Sequence, residues 1–259
     1  MSASLRARIR CSEPTVGTFV NLGSVLAAEA CALAGFDWLV VDLEHGAGSE
    51  EALIGQVLAA GIHQVPVIVR VESAERIRSG RVLDLGAAGV MFPRLDSAAE
   101  VARAVGHLRY PPEGDRGVAT YNRACGFGMQ ADALQTANED VVGVVQIETV
   151  SALAQVQAIA EAAGVDVLFV GPVDLSHALG VPGIFDAPEF RAALTAVVRA
   201  AKSAGIPAGI LARDRERALE CIEDGFTFVA IASDSALLGA AAREAALPIN
   251  TQGEAVASR

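Results

Sequence analysis

Lysine is nearly absent from this chain. Of 259 residues only Lys202 is one, and it lies in an Ala-rich helical stretch remote from any strand end. Covalent catalysis through a Schiff-base amine therefore has no candidate nucleophile. Positive charge as a whole is short: 20 Lys and Arg face 31 Asp and Glu, a net charge of -11. That balance excludes nucleic acid and anionic membrane as expected partners, and an anionic substrate must be met by locally placed arginine or metal. Cys11, Cys31, Cys125 and Cys221 are far apart and form no C-x-x-C pair. They read as reduced thiols of a cytoplasmic protein. No apolar run approaches the ~18 residues of a membrane span. No apolar segment follows the basic start MSASLRARIR, so no secretory signal is expected. The G-x-G-x-x-G fingerprint and the P-loop are missing too.

What the chain does contain is alternation. Short apolar runs at Val16–Val20, Trp38–Asp42, Val67–Val71, Gly89–Phe92, Val141–Ile147, Val167–Val170, Ala208–Leu211 and Phe226–Ile231 read as strands. Helical stretches near 24–34, 49–60, 73–85, 97–108, 151–162, 188–204, 213–223 and 234–245 follow them in turn. Repeated β-then-α units of this number and length predict one (β/α)8 barrel, a TIM barrel, spanning residues 1–259, with a doubly wound open sheet as the alternative. Ser49 and Ser73 lead acidic first turns, and Ser97 with Glu100 fits a capping box. Gly61 and Gly205 are expected to stop helices. The connection from Gly106 to Asp140 is long for a compact domain and holds Arg116, Tyr121, Asn122 and Arg123, which could meet an anionic substrate. The tail from Thr251 to Arg259 is expected to fray.

The richest stretch is 141–176, VVGVVQIETVSALAQVQAIAEAAGVDVLFVGPVDLS. Two apolar strands each end in a carboxylate, Glu148 and Asp174. In a parallel α/β fold the carboxyl ends of the strands are where ligands bind. Each acid alone is equally a helix or turn cap. Together they repel unless a cation or proton lies between them, and two hard oxygen ligands suit Mg²⁺ or Mn²⁺. Strand alternation puts Gln146 on the face of Glu148. Val41-Asp42-Leu43-Glu44-His45-Gly46 ends the second strand, where Asp42 is placed to orient His45 as a proton shuttle. Glu44 reads as a salt-bridge residue. Arg70 closes an apolar strand, which is costly unless it meets an anion, either a substrate oxygen or a carboxylate such as Asp42, Asp84 or Glu148. Asp84 reads as a surface or capping acid, and Arg94 is ambiguous.

These motifs resemble the HpcH/HpaI aldolase family of metal-dependent pyruvate aldolases. The resemblance runs from Gly17-Thr18-Phe19 to about Ala245. It is carried by GFDWLVVDLEHG (35–46), PVIVRV (66–71), LDLGAAGVMFPRLDSAAEV (83–101), YPPEGDRG (110–117), VQIET (145–149) and FVGPVDLS (169–176). The resemblance implies a barrel whose C-terminal helix is exchanged between subunits of a trimer-based homo-oligomer, commonly a hexamer. It implies that Glu148 and Asp174 bind Mg²⁺, Mn²⁺ or Co²⁺ and that Arg70 and Gln146 hold a pyruvyl group, with Gly171, Pro172 and Leu211 also at the substrate. It further implies that His45 and Asp42 act as acid–base through water, that Asp84 lies near the site at a subunit contact, and that Arg123 contacts the distal part of some substrates. The loop TYNRACGFG departs from commoner versions.

The activity so implied is reversible cleavage of a 4-hydroxy-2-oxo acid to pyruvate and an aldehyde, through a metal-stabilised pyruvate enolate. The aldehyde is left open, with succinic semialdehyde, tartronate semialdehyde and lactaldehyde all compatible. Two other readings stand beside it: a citrate-lyase-β-like acyl-CoA lyase, and a non-catalytic metabolite-binding barrel. No basic patch for CoA phosphates is visible in the sequence.

Overall fold

The structure is a computed structural model that describes residues 4–11 and 13–247. The tail expected to fray, Thr251–Arg259, lies outside the described residues. The strands are β1 (Thr15–Val20), β2 (Trp38–Asp42), β3 (Val67–Arg70), β4 (Gly89–Phe92), β5 (Val142–Ile147), β6 (Val167–Val170), β7 (Ala208–Ala212) and β8 (Phe228–Ser233). Each pairs in parallel with the next, and β8 pairs with β1. The sheet is thus a closed eight-stranded barrel, which excludes the open-sheet alternative. The helices are α1 (Leu5–Ile9), α2 (Val25–Leu33), α3 (Glu50–Ile62), α4 (Arg76–Asp84), α5 (Ala98–Gly106), α6 (Ala133–Asp140), α7 (Val150–Ala154), α8 (Val156–Ala160), α9 (Pro172–Ala178), α10 (Pro188–Ala204), α11 (Arg215–Glu223) and α12 (Asp234–Ala245). Among the described residues no helix is long and apolar enough to cross a membrane.

Strand alternation sorts the apolar residues into two layers. Leu39, Val41, Val69, Val90, Val145 and Leu168 pack outward against the helices. Trp38, Val40, Ile68, Met91, Val144, Phe169 and Phe228 fill the barrel interior, with Trp38 and Phe228 stacked at 3.9 Å. Continuing the inward phase to the carboxyl ends places Asp42, Arg70, Gln146, Glu148 and Gly171 at the barrel mouth.

Side-chain caps open the helices where the sequence predicts them. The Ser49 hydroxyl accepts from Ala52 N–H, and Ser97 from Glu100 N–H. The reciprocal Glu100 bond goes to Asp96 N–H instead of Ser97. Gly205 ends α10 with φ +70, a conformation that favours glycine. Four expectations shift. Helix α4 starts at Arg76, because Ser73 spends its hydroxyl on the N–H of Glu75 in a turn ahead of it. Gly61 does not stop α3, which runs to Ile62. The helix expected over 151–162 breaks at Gln155, whose amide reaches the Asp96 carbonyl. The 106–140 connection contains no strand, as expected, but holds a 3-10 turn (Arg123–Gly128) and α6.

Helix α1 has no counterpart in the sequence reading. Its Leu5 and Ile9 join the interior cluster. Its Arg6 bonds the buried Asp166 at 2.7 Å, a carboxylate also held by Arg109 and by Gly143 N–H. The helix thereby seals the amino end of the barrel, opposite the mouth.

Candidate active site

The mouth is organised around Glu148, one residue past the end of β5. Its side chain is buried. One oxygen accepts the backbone N–H of Arg94 at 2.8 Å, and the other accepts Nε2 of Gln146 at 3.2 Å. The shared face expected for Gln146 and Glu148 is therefore real. Burial pushes the Glu148 carboxyl up to about 7; the charges of Asp174 and Glu44 add to the rise, while the Arg94 N–H and the Arg70 charge oppose it. Asp174 lies in the first turn of α9, close enough for its charge to act on Glu148, and is itself half exposed. Pro172 opens that helix at a position where no backbone donor is needed.

The second group is Arg70. Its guanidinium forks onto Asp42, at 2.9 Å and 2.6 Å, and comes within 3.3 Å of Glu44. Phe19 lies beneath it, 5.1 Å from ring centre to guanidinium carbon. Burial works to raise the Asp42 carboxyl, but the Arg70 bonds and charge outweigh it and hold the group below its ordinary range. This corrects the expected Asp42–His45 pairing. The Asp42 carboxylate is taken by Arg70 and by the backbone N–H groups of Glu44 and His45. The His45 imidazole projects outward, 69% exposed, with Glu44 3.8 Å from its Nε2. Glu44 is the salt-bridge residue the sequence suggests, and it links the arginine to the histidine. Its position two residues beyond Asp42 is the sequence signal for that link.

Leu211 on β7 packs against the interior cluster. Asp84 and Arg123 do not reach this mouth within one chain. Asp84 is the last residue of α4, at the amino end of the barrel, where it bonds Arg116 at 2.7 Å. Arg123 donates to the Leu85 carbonyl at 3.2 Å, at the same end. Arg116 is buried against the Tyr110 ring, so the anionic-substrate role considered for it is replaced by a structural ion pair. Arg94 is the residue that sequence reading left unassigned. Its N–H holds Glu148, and its guanidinium comes within 3.8 Å of Asp174.

A divalent cation fits these residues on three counts. Four carboxylates (Asp42, Glu44, Glu148, Asp174) face two guanidiniums (Arg70, Arg94), which leaves two negative charges at the mouth once Glu148 is ionised. Gly171, next to Glu148, keeps open the space a cation needs: a Cβ there would stand 2.6 Å from a Glu148 oxygen. The Gln146 Oε1 beside it is buried without a partner. Among the described residues no cluster of three or more His, Cys, Asp or Glu could hold a metal. Glu148 and Asp174 are the pair that would hold the ion, with water and substrate oxygens completing its shell.

Comparison with known proteins identifies the family. The sequence model of the HpcH/HpaI aldolase/citrate lyase family matches residues 15–241. The hydroxypyruvate/pyruvate aldolase of Paraburkholderia phytofirmans is 42% identical, over 93% of this chain and 95% of its own. The 5-keto-4-deoxy-D-glucarate aldolase of Klebsiella pneumoniae is 37% identical, over 93% and 94%. A crystal structure of a family protein from Burkholderia cenocepacia superposes with a TM-score of 0.89 at 40% identity, covering 93% of this chain and 96% of that one. Barrel, mouth and sequence point the same way, and the chain belongs to the HpcH/HpaI aldolase/citrate lyase family.

Proposed function

We propose that the protein is a metal-dependent class II pyruvate aldolase that reversibly cleaves 4-hydroxy-2-oxo acids to pyruvate and an aldehyde. The observation that carries this reading is the buried Glu148 carboxyl, set beside the vacant side of Gly171 and next to Asp174. Glu148 and Asp174 would hold Mg²⁺, Mn²⁺ or Co²⁺. A bound cation supplies Lewis-acid stabilisation of negative charge that develops on the pyruvyl group. Arg70, whose fork is held by Asp42, is a fixed positive charge for the pyruvyl oxygens, with the Gln146 amide as a second group for them. His45 takes the C4 hydroxyl proton through water as the C3–C4 bond breaks. The bond electrons pass to the pyruvyl half, and the aldehyde leaves. Gly171, Pro172 and Leu211 line the same space. Relatives named as aldolases at 37% and 42% identity favour this chemistry over acyl-CoA cleavage.

A homo-oligomer, trimer or hexamer, completes the reading. Asp84 and Arg123 serve a mouth only if a neighbouring subunit presents its amino end to it. Leu237 and Leu238 on α12 are 40% and 62% exposed, which supports packing of that helix on a neighbour. A cytoplasmic location agrees with the free cysteines Cys11, Cys31, Cys125 and Cys221. The test is a retro-aldol screen of 4-hydroxy-2-oxo acids with coupled pyruvate detection. EDTA should silence turnover, and Mg²⁺ or Mn²⁺ should restore it; turnover that survives metal stripping refutes the assignment.

A further inference from the structure

We propose that Arg94 binds a carboxylate on the aldehyde half of the substrate and so selects acceptors that carry an acid group. The inference rests on the aldolase reading above and adds a specificity-determining residue to it.

Arg94 follows Phe92 and Pro93 at the carboxyl end of β4. Its backbone is left-handed, φ +52, a conformation a non-glycine residue adopts only when its surroundings hold it there. The holding contact is the bond from its N–H to Glu148. The backbone is thus tied to one candidate metal ligand, while the guanidinium, 63% exposed, hangs over the other, Asp174. Compare the remaining arginines. Arg70 is 13% exposed and already matched by Asp42 and Glu44. Arg116 and Arg123 lie at the amino end of the barrel, so within one chain they do not reach this mouth. Arg213, just past β7, is 80% exposed but is paired with its neighbour Asp214. Among the described residues of one chain, Arg94 is therefore the exposed guanidinium beside the candidate metal ligands, and Asp174 is its one acidic neighbour within ion-pair reach.

A cation seated on Asp174 claims that neighbour's charge and repels the guanidinium by like charge. Arg94 is then a long, flexible cation at the rim with no counter-ion. The pyruvyl half of the substrate occupies the floor between Arg70 and Gln146, so the aldehyde half extends toward this rim. On a chain of net charge -11 an acid-bearing acceptor needs a local cation, and a forked guanidinium pairs two carboxylate oxygens at once.

The experiment compares wild type, Arg94→Gln and Arg94→Lys in the synthetic direction, with pyruvate and Mn²⁺ saturating. The acceptors are succinic semialdehyde and butanal, similar in length and differing in the terminal acid. Arg94→Gln should raise KM for succinic semialdehyde by about tenfold or more and leave butanal within about twofold, with Arg94→Lys between. Mn²⁺ affinity of the resting protein, followed by electron paramagnetic resonance, should stay equal or tighten in Arg94→Gln, because a competing cation is gone. Equal slowing on both acceptors, weaker Mn²⁺ binding, or a wild type that prefers butanal overturns the proposal. If wild type turns over neither acceptor nor any 4-hydroxy-2-oxo acid, the aldolase reading falls and takes the proposal with it. Normal wild-type turnover with an indifferent Arg94→Gln removes the proposal alone.

Discussion

Replacing Glu148 by Gln should make the metal-free protein more stable at alkaline pH while abolishing its metal binding. In the fold, burial lifts this carboxyl to about 7 from an unperturbed 4.5. A raised carboxyl means the folded state holds its proton more tightly than the unfolded chain does. Stability is therefore unaffected by this group below the unfolded value, declines as pH rises from there, and has lost the whole contribution above about 7. A rise of that size corresponds to about 3 kcal/mol. Glutamine has the same shape and can keep both contacts: its oxygen accepts from Arg94 N–H, and its amide can donate to the partnerless Oε1 of a flipped Gln146. In EDTA at pH 8 the variant should melt roughly 6–12 °C above wild type, given the sensitivity expected for a chain of this size. At pH 5, where wild type keeps its proton, the gap should shrink below about 1 kcal/mol. Added Mn²⁺ should close the gap from the other side by raising wild type alone. A variant no more stable than wild type at pH 8, or a gap that ignores pH, would falsify the claim that Glu148 is a desolvated carboxylate awaiting a cation.

Other expectations follow from the same contacts. Arg70→Ala should stop turnover and cost about 3–5 kcal/mol in urea unfolding, because it strands the buried Asp42. Adding Asp42→Asn to it should recover most of that stability and none of the activity; full activity in either variant contradicts the role given to Arg70. Gly171→Ala should weaken Mn²⁺ binding by about tenfold or more, since its methyl intrudes on a Glu148 oxygen, and an unchanged titration would show that the space beside Gly171 is not the cation's. Asp166→Asn at the opposite end should lower stability by about 3 kcal/mol or more through loss of Arg6 and Arg109, with metal affinity intact. A parallel loss of Mn²⁺ binding would mean that the two ends of the barrel are coupled.

Much of the fold is written locally. The β-branched runs are bounded by turns, and the strands they make fall within a residue or two of where the pattern puts them. Strand β8 is the exception in detail. It begins at Phe228, because Phe226 is apolar for burial in the connection from α11 and not for pairing. Helix α1 could not be read. Five residues with two arginines have no helical period to detect, and what fixes them is Leu5 and Ile9 inside the barrel and Arg6 on Asp166, more than 150 positions away. The long 106–140 connection was legible in length but not in direction. It joins a helix to the next strand, and in this architecture such joints lie at the amino end. That rule by itself takes Arg116 and Arg123 away from the mouth of their own chain.

The acid–base pair shows the deeper limit. Chain proximity pairs Asp42 with His45, three residues on. Parallel pairing sets Asp42 opposite Arg70 on the neighbouring strand, and a forked guanidinium in a buried site takes the carboxylate that chain proximity assigns to the imidazole. Lateral neighbours in a barrel mouth are close in space and dozens of residues apart in sequence, so charge partners there are decided by register. The same register explains how few ligands the site needs. Arg70 holds Asp42 and Glu44 in place and Arg94 stands over Asp174, so two of the four carboxylate charges have no matching guanidinium and Glu148 has no side-chain cation within ion-pair distance. Without a cation the buried member of that pair holds a proton near neutral pH. On the proposed reading, proton and metal compete for the Glu148 carboxylate, and cation binding below pH 7 should release a proton. On the proposed reading, the excess of carboxylate over guanidinium at the mouth and the small side of Gly171 are what favour a divalent cation between Glu148 and Asp174.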